Sequence, residues 1–251
     1  MEENKKKYVS IPRNYVLNSD SLISKYKVKE IVYFHINLLN LRSRFSNVCC
    51  SINQLLFKMK WNKRSENVDK VRYMLECLIK EKIIKNIDSL PKSNSAFFDF
   101  TYEPDEDKYT LLDYDIYNKL LTGDRINYNK LNLYCYILIR SYTLPSGKVY
   151  YIENKFETCS PKMENFSESL DLNRKTVKKI VEELFEEELI YYENAGKYTV
   201  NDSIFACPNT YITCDKLDYK KQIDEAIKFF RNSSTERGFQ WLPKKRQNIK
   251  K

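Results

Sequence analysis

The stretch Asn173–Ile190, NRKTVKKIVEELFEEELI, decides the fold of this chain. Val177, Ile180, Val181 and Leu184 recur at the three- and four-residue steps that place side chains on one face of a helix. Asp171-Leu172-Asn173 makes a turn before it, and an earlier helical stripe at Met163, Phe166 and Leu170 precedes that turn, with Ser160 as the expected N-cap. After the helix, Leu189–Tyr192 and Lys197–Val200 read as strands flanking Glu193–Gly196, a hairpin with a short glycine-containing loop. Further upstream, Leu131, Tyr134, Cys135, Leu138 and Tyr142 mark another helix, Pro145-Ser146-Gly147 a turn, and Val149–Ile152 a strand. The order is helix, strand, helix, turn, helix, strand, loop, strand.

The first half of the chain carries the same order. A helix beginning near Lys27 places Ile31, Phe34, His35, Leu38 and either Leu41 or Phe45 along one side. Val48-Cys49-Cys50 is extended, and Ser51 is positioned to cap a helix through Met59 that turns Ile52, Leu55 and Leu56 inward. A polar break at Trp61–Asn67 leads to a helix with Val68, Val71, Leu75, Leu78 and Ile79 on one side, then strands at Ile83–Asp88 and Ala96–Tyr102. Val71–Ile84 (VRYMLECLIKEKII) aligns without a gap to Val177–Ile190 (VKKIVEELFEEELI), and Glu76 and Glu81 match Glu182 and Glu187. An internal duplication is the reading that follows. The expected class is mainly α with small β-hairpins (α+β), arranged as tandem winged helix-turn-helix domains: 1–105, a linker with a short helix at 106–126, 127–212, and a C-terminal helix with a basic tail at 213–251. Pro12 keeps Tyr8–Val16 extended, and the helix from Asp113 to Leu121 should stop at Gly123.

Composition narrows the function. Lys and Arg number 43 against 34 Asp and Glu, a net charge of +9. Such an excess attracts polyanions through its field and through release of condensed counterions, although abundant Lys, Asn, Ile and Tyr is also what an AT-rich genome encodes. The seven cysteines show no CxxC pair, and with His35 as the only histidine no zinc site is expected. The four glycines are too scattered for a phosphate loop or a dinucleotide fingerprint. No apolar run approaches the length of a membrane span, and Met1–Lys7 is followed by no signal core, so a cytoplasmic protein is expected. No catalytic site, cofactor or metal is expected either. His35, on an apolar helix face, reads as a hydrogen-bonded core residue.

The charge order along Asn173–Glu188 is the most informative feature. Arg174, Lys175, Lys178 and Lys179 come first, and Glu182, Glu183, Glu186, Glu187 and Glu188 follow. The helix macrodipole favours acid first and base last by roughly 0.3–1 kcal/mol per charge, so helix stability alone does not select this polarity. The N-terminal end of a recognition helix enters the DNA major groove, where cations meet phosphates and base edges. Arg174 and Lys175 can then reach guanine edges, Thr176 a phosphate or a thymine methyl, and Lys178 and Lys179 the backbone, while Asn173 either caps the helix or touches a phosphate. A solvated charged face is the plain alternative. In the first half Asn62, Lys63, Arg64, Ser65 and Lys70 form a weaker version of the pattern, with Trp61 read as core. Wing candidates are Lys92, Ser93 and Asn94, then Asn194 and Lys197, and the tail adds Lys244, Lys245, Arg246, Lys250 and Lys251.

YVSIPRNYV at Tyr8–Val16, the paired units, and SESLDLNRKTVKKIVEELFEEELI at Ser167–Ile190 together resemble plasmid and phage replication initiators of Gram-positive bacteria, over roughly residues 8–205. The resemblance implies specific double-stranded DNA binding at an origin or at repeated sites, with host replication proteins as partners. It also makes Arg174, Lys175, Thr176, Lys178 and Lys179 counterparts of recognition-helix residues. Two other readings stay open: a transcriptional regulator that forms a homodimer through the helix at Leu217–Phe230, and a scaffold whose winged helices bind protein.

Overall fold

A computed structural model describes residues 8–87, 89–104, 109–123, 126–142 and 156–242. The expected strand at Val149–Ile152, the turn at Pro145–Gly147, the acidic Asp105–Asp107, Met1–Lys7 and the basic tail lie outside the described residues. The chain is mixed α and β with small antiparallel sheets, and it divides into two compact units. Unit 1 is Met1–Cys135 with Glu168–Asp171, and unit 2 is Tyr136–Ser167 with Leu172–Lys251.

In chain order the elements up to the middle of the sequence are β1 (Tyr8–Pro12), α1 (Leu22–Tyr26), α2 (Ile31–Leu41), β2 (Asn47–Cys50), α3 (Ile52–Lys58), α4 (Ser65–Lys80), β3 (Ile84–Lys85), β4 (Phe98–Tyr102), β5 (Tyr109–Asp113), α5 (Tyr114–Leu120) and α6 (Tyr128–Tyr142). In unit 1 the sheet runs β2-β4-β3, and α2, α3 and α4 bury Ile31, Phe34, Leu38, Leu55, Leu56, Val71, Leu75 and Leu78. Ser51 caps α3 as expected, its hydroxyl accepting the Gln54 N–H at 3.2 Å. Helix α2 starts later than expected: Lys27 takes left-handed backbone (φ 57°), ends the short helix α1, and separates it from α2. Phe45 is 86% exposed in the turn after α2, so of the two expected alternatives it is Leu41, half-buried at the end of α2, that continues the stripe past the buried Leu38. Part of the stretch expected as linker is strand β5, which pairs antiparallel with β1, Ile11 opposite Thr110.

The remaining elements are α7 (Met163–Leu170), α8 (Arg174–Glu186), β6 (Ile190–Asn194), β7 (Lys197–Val200), β8 (Ser203–Ala206), β9 (Asn209–Thr213), α9 (Tyr219–Thr235) and β10 (Gln240–Trp241). Helix α7 begins three residues after Ser160, which is not its cap: the Ser160 hydroxyl bonds the Thr210 hydroxyl at 2.9 Å, and Asn165 Oδ1 accepts the Lys162 N–H instead. The hairpin also differs from expectation. Strand β6 pairs with β9 and β7 with β8, in one continuous register from Ile190 opposite Thr213, through Lys197 opposite Ala206, to Val200 opposite Ser203. The result is a single long hairpin whose tip is Asn201-Asp202, both at positive φ (48° and 61°), as a two-residue primed turn requires. Gly196 (φ 109°) supplies not the tip but a kink, beside which Pro208 cannot donate to the ladder. Strand β10 joins the far edge of β7, and α9 covers the kink with Ile223 and Ile227 against Ala195, Cys207 and Ile212.

The repeat holds in detail. Lys82 and Glu188, matched in the alignment, both take left-handed backbone (φ 58° and 55°). After α4 the Ile83 N–H donates to the Leu78 carbonyl at 2.9 Å, and after α8 the Leu189 N–H donates to the Leu184 carbonyl at 2.9 Å. All four of these side chains are buried. This is the same helix stop, closed by the same apolar contact, leading at Ile84 and Ile190 into the same kind of strand. The topologies agree too: in unit 2 Cys159 makes a single bridge to Tyr211 on β9, where unit 1 has β2 beside β4.

His35 is the polar centre of unit 1. The Ser10 carbonyl, 2.8 Å from Nε2, can only accept, so Nε2 carries the proton; Nδ1 then accepts from the Tyr102 hydroxyl, which accepts from Tyr15 at 3.0 Å. Burial lowers the His35 pKa from 6.5 to about 4. Between those values the unfolded chain binds a proton that the folded chain does not. Stability is therefore full above pH 6.5 and falls as the pH drops toward 4, at about 1.4 kcal/mol per pH unit. Urea unfolding at pH 7 and pH 5 should show the loss, and His35→Gln should be less stable with a flatter pH dependence. Equal pH slopes in the two proteins would contradict this account.

Candidate nucleic-acid interface

Helix α8 is held by its apolar side. Val177, Ile180, Val181 and Leu184 are buried, each worth about 1.5–3 kcal/mol. That outweighs the unfavourable charge order, so the exposed positions are free to carry whatever charge another role requires. Asn173 is the N-cap: its Oδ1 accepts the Thr176 N–H at 2.9 Å and the Thr176 hydroxyl at 3.1 Å. Of its two expected roles the cap is the one observed, and Thr176, half-buried, is engaged by it.

Arg174, Lys175, Lys178 and Lys179 are all exposed. The Arg174 guanidinium donates to the Glu164 carboxylate on α7. Lys178 and Lys179 lie 3.8 and 3.6 Å from Glu182 and Glu183, one turn further along α8. Lysine before glutamate is the weaker orientation of such a pair, and exposed pairs are worth only about 0–1 kcal/mol, so neither immobilises its lysine. Among the described residues Lys175 has no ion-pair partner. The first turn of α8 is thus a solvent-facing group of cations, tempered but not neutralised by nearby carboxylates.

The candidates of unit 1 separate into two sets. Lys63, Arg64 and Ser65 are exposed at the start of α4, the two cations without an ion-pair partner among the described residues. Asn62 and Lys70 serve the unit itself. Asn62 Oδ1 accepts from Asn67 Nδ2 at 2.7 Å and closes the turn. Lys70 lies 3.3 Å from the buried Glu30 carboxylate and stands over the Trp61 ring, whose indole N–H donates to Tyr128 at 2.9 Å. The expected wing at Lys92–Asn94 is pinned down: Arg72 donates to the Pro91 carbonyl (2.8 Å), the Lys92 carbonyl (3.1 Å) and Asn94 Oδ1 (2.7 Å), and the Asn53 N–H donates to the Asn94 carbonyl.

In unit 2 Lys197 is exposed on an arm of the long hairpin rather than at its tip. Asn194 is structural, its amide donating to the Cys207 carbonyl at 2.8 Å and to Asn209 Oδ1 at 2.9 Å. The true tip, Asn201-Asp202, escaped the sequence reading although Thr199-Val200-Asn201-Asp202-Ser203-Ile204 carries the signature of a two-residue turn. Glu164 also escaped it, because it acts across a separation in sequence that periodicity does not address. Ile223 and Ile227, on the helix proposed for dimerisation, are spent inside unit 2, while Leu217 and Phe230 remain exposed. Among the described residues no helix is long and apolar enough to cross a membrane.

No protein-family model matches the chain, and no curated protein is significantly similar to it.

Removing the cap by Asn173→Ala should cost about 1 kcal/mol, within the usual 0.5–2 kcal/mol range for cap loss, measured by urea unfolding. A cost near zero would mean that Asn173 is not holding the first turn of α8.

Proposed function

We propose that this chain binds specific double-stranded DNA through two winged-helix units and serves replication initiation or copy control of a plasmid or phage in the cytoplasm. The observation that carries the reading is the exposed cationic first turn of α8, on a helix stabilised entirely from its other side. Support also comes from the order common to the two halves, two helices followed by a matched helix stop and a hairpin, with Cys159 bridged to Tyr211 on β9 where β2 lies beside β4. In that arrangement α8 is the reading helix of unit 2 and the β6–β9 hairpin its wing; α4 is its counterpart in unit 1, with Lys63, Arg64 and Ser65 at the leading end. The replication role, and host replication proteins as partners, rest on the sequence resemblance.

The test is duplex binding by Arg174→Ala/Lys175→Ala over a range of salt concentrations. Affinity should fall about ten- to hundredfold, the scale of one or two lost base or phosphate contacts, and the slope of log affinity against log salt should shrink by about 0.9 for each phosphate contact removed. Lys63→Ala/Arg64→Ala should weaken binding less. Unchanged affinity and slope in the first variant would overturn the proposal.

A further inference from the structure

We propose that Glu164 is an internal competitor for Arg174, set to suppress nonspecific phosphate contacts and to reserve the guanidinium for an uncharged base edge; this inference rests on the DNA-binding reading above. The two side chains belong to the same unit, at the first turn of α7 and the first residue of α8. They form an ion pair with the arginine side chain 69% and the glutamate side chain 49% exposed. A pair this open is weak and exchangeable, so it does not lock Arg174 away. It changes what Arg174 gains from each kind of partner. A phosphate that takes the guanidinium must displace a carboxylate of like charge and then lie beside it. A guanine edge offers N7 and O6 as two acceptors without net charge and meets far less repulsion. Glu164 therefore costs Arg174 more at the backbone, which every sequence shares, than at a base, which only the correct sequence supplies. A mere stabilising role does not explain the choice of partner, since a carboxylate at the first turn of α7 already suits the macrodipole without Arg174. Lys175, next to it, has no carboxylate partner among the described residues and is left as the unrestrained phosphate contact.

The experiment measures binding of the full chain to a random-sequence duplex, and to duplexes enriched from that pool, for the native protein, Glu164→Gln, Arg174→Ala and the double variant, with thermal melts to establish folding. Glu164→Gln should bind the random duplex about two- to fivefold tighter, the scale of an exposed pair, with a salt slope steeper by about 0.9 as one phosphate contact is gained. Its preference for the enriched duplex should narrow. The gain should vanish on the Arg174→Ala background, and Glu182→Gln, whose partner Lys178 sits a turn deeper, should give no comparable gain. An equal gain with and without Arg174 would mean that Glu164 acts only as one more negative charge, and the competitor role falls. No gain, in a protein whose binding still depends on Arg174 and Lys175, overturns the role of Glu164 alone. Failure of the native chain to bind any duplex overturns both this inference and the DNA-binding reading.

Discussion

Burial of one narrow apolar stripe on α4 and on α8 is the constraint from which the rest of each unit follows. In α8 the stripe is Val177, Ile180, Val181 and Leu184, and in α4 the matching Val71, Met74, Leu75 and Leu78 are extended by Val68 and Cys77. The helix cannot simply run on past it. After Glu81 and Glu187 the chain turns through the left-handed Lys82 and Glu188, brings Ile83 or Leu189 back over the last buried leucine, and leaves as a strand. The stop costs something, because neither Lys82 nor Glu188 is glycine and an L side chain tolerates that backbone less well. The buried aliphatic contact that follows offsets it. A helix that ended one residue earlier or later would turn the following strand over and put Ile84 or Ile190 in solvent.

This explains why some of the fold was legible in the sequence and some was not. Stripes at helical spacing and the ungapped match of Val71–Ile84 to Val177–Ile190 depend only on local periodicity, and α4, α8 and the start of the strand after each were found where expected, although β3 is only Ile84–Lys85. The cap at Ser51 was local too, and so was found. Ser160 looked equivalent, but helix α7 begins beyond Pro161, and the serine hydroxyl is taken up by Thr210, fifty residues away. The hairpin failed for a related reason. Gly196 was read as a tip because glycine punctuates turns, whereas a two-residue Asn-Asp turn further on sets the register and glycine only lets the paired strands bend. Sequence identifies a residue that permits positive φ; it does not say which of two such places the strands close around.

The candidate interface divides in the same way. Arg174, Lys175, Lys178 and Lys179 could be picked out because the helix dipole penalises their order, and a penalty accepted by the sequence is visible without a structure. Asn62, Lys70 and Asn194 were chosen for residue type near a turn, and each turned out to be holding its own unit together. Polar residues at turns are needed to satisfy backbone groups wherever the chain reverses, so type and place alone do not separate a binding residue from a structural one. What separates them is whether the hydrogen-bonding capacity has already been spent inside the unit.

That criterion also distinguishes the two units. In unit 1 the loop that would form a wing is fixed against α3 and α4 through three hydrogen bonds from Arg72 and one from Asn53, which engage its carbonyls and Asn94 Oδ1 while the Lys92 and Ser93 side chains stay exposed. In unit 2 the corresponding segment is a long hairpin whose outer strand β8 is exposed along its whole length, and whose kink is fastened to α9 by Arg231, with Nε donating to the Ala195 carbonyl at 2.9 Å. The two units are therefore finished in two ways: one with its loop fastened down and its leading cations few, the other with an extended arm and a cationic first turn in which Arg174 meets a carboxylate from another helix and Lys175, among the described residues, meets none. Moderation is the informative part. A surface meant only to adhere to polyanions gains from every unopposed lysine, whereas one that must choose among sequences gains from making the indiscriminate contacts nearly worthless and leaving the selective ones strong. On the proposed reading, the carboxylate that α7 brings beside Arg174 follows the second logic.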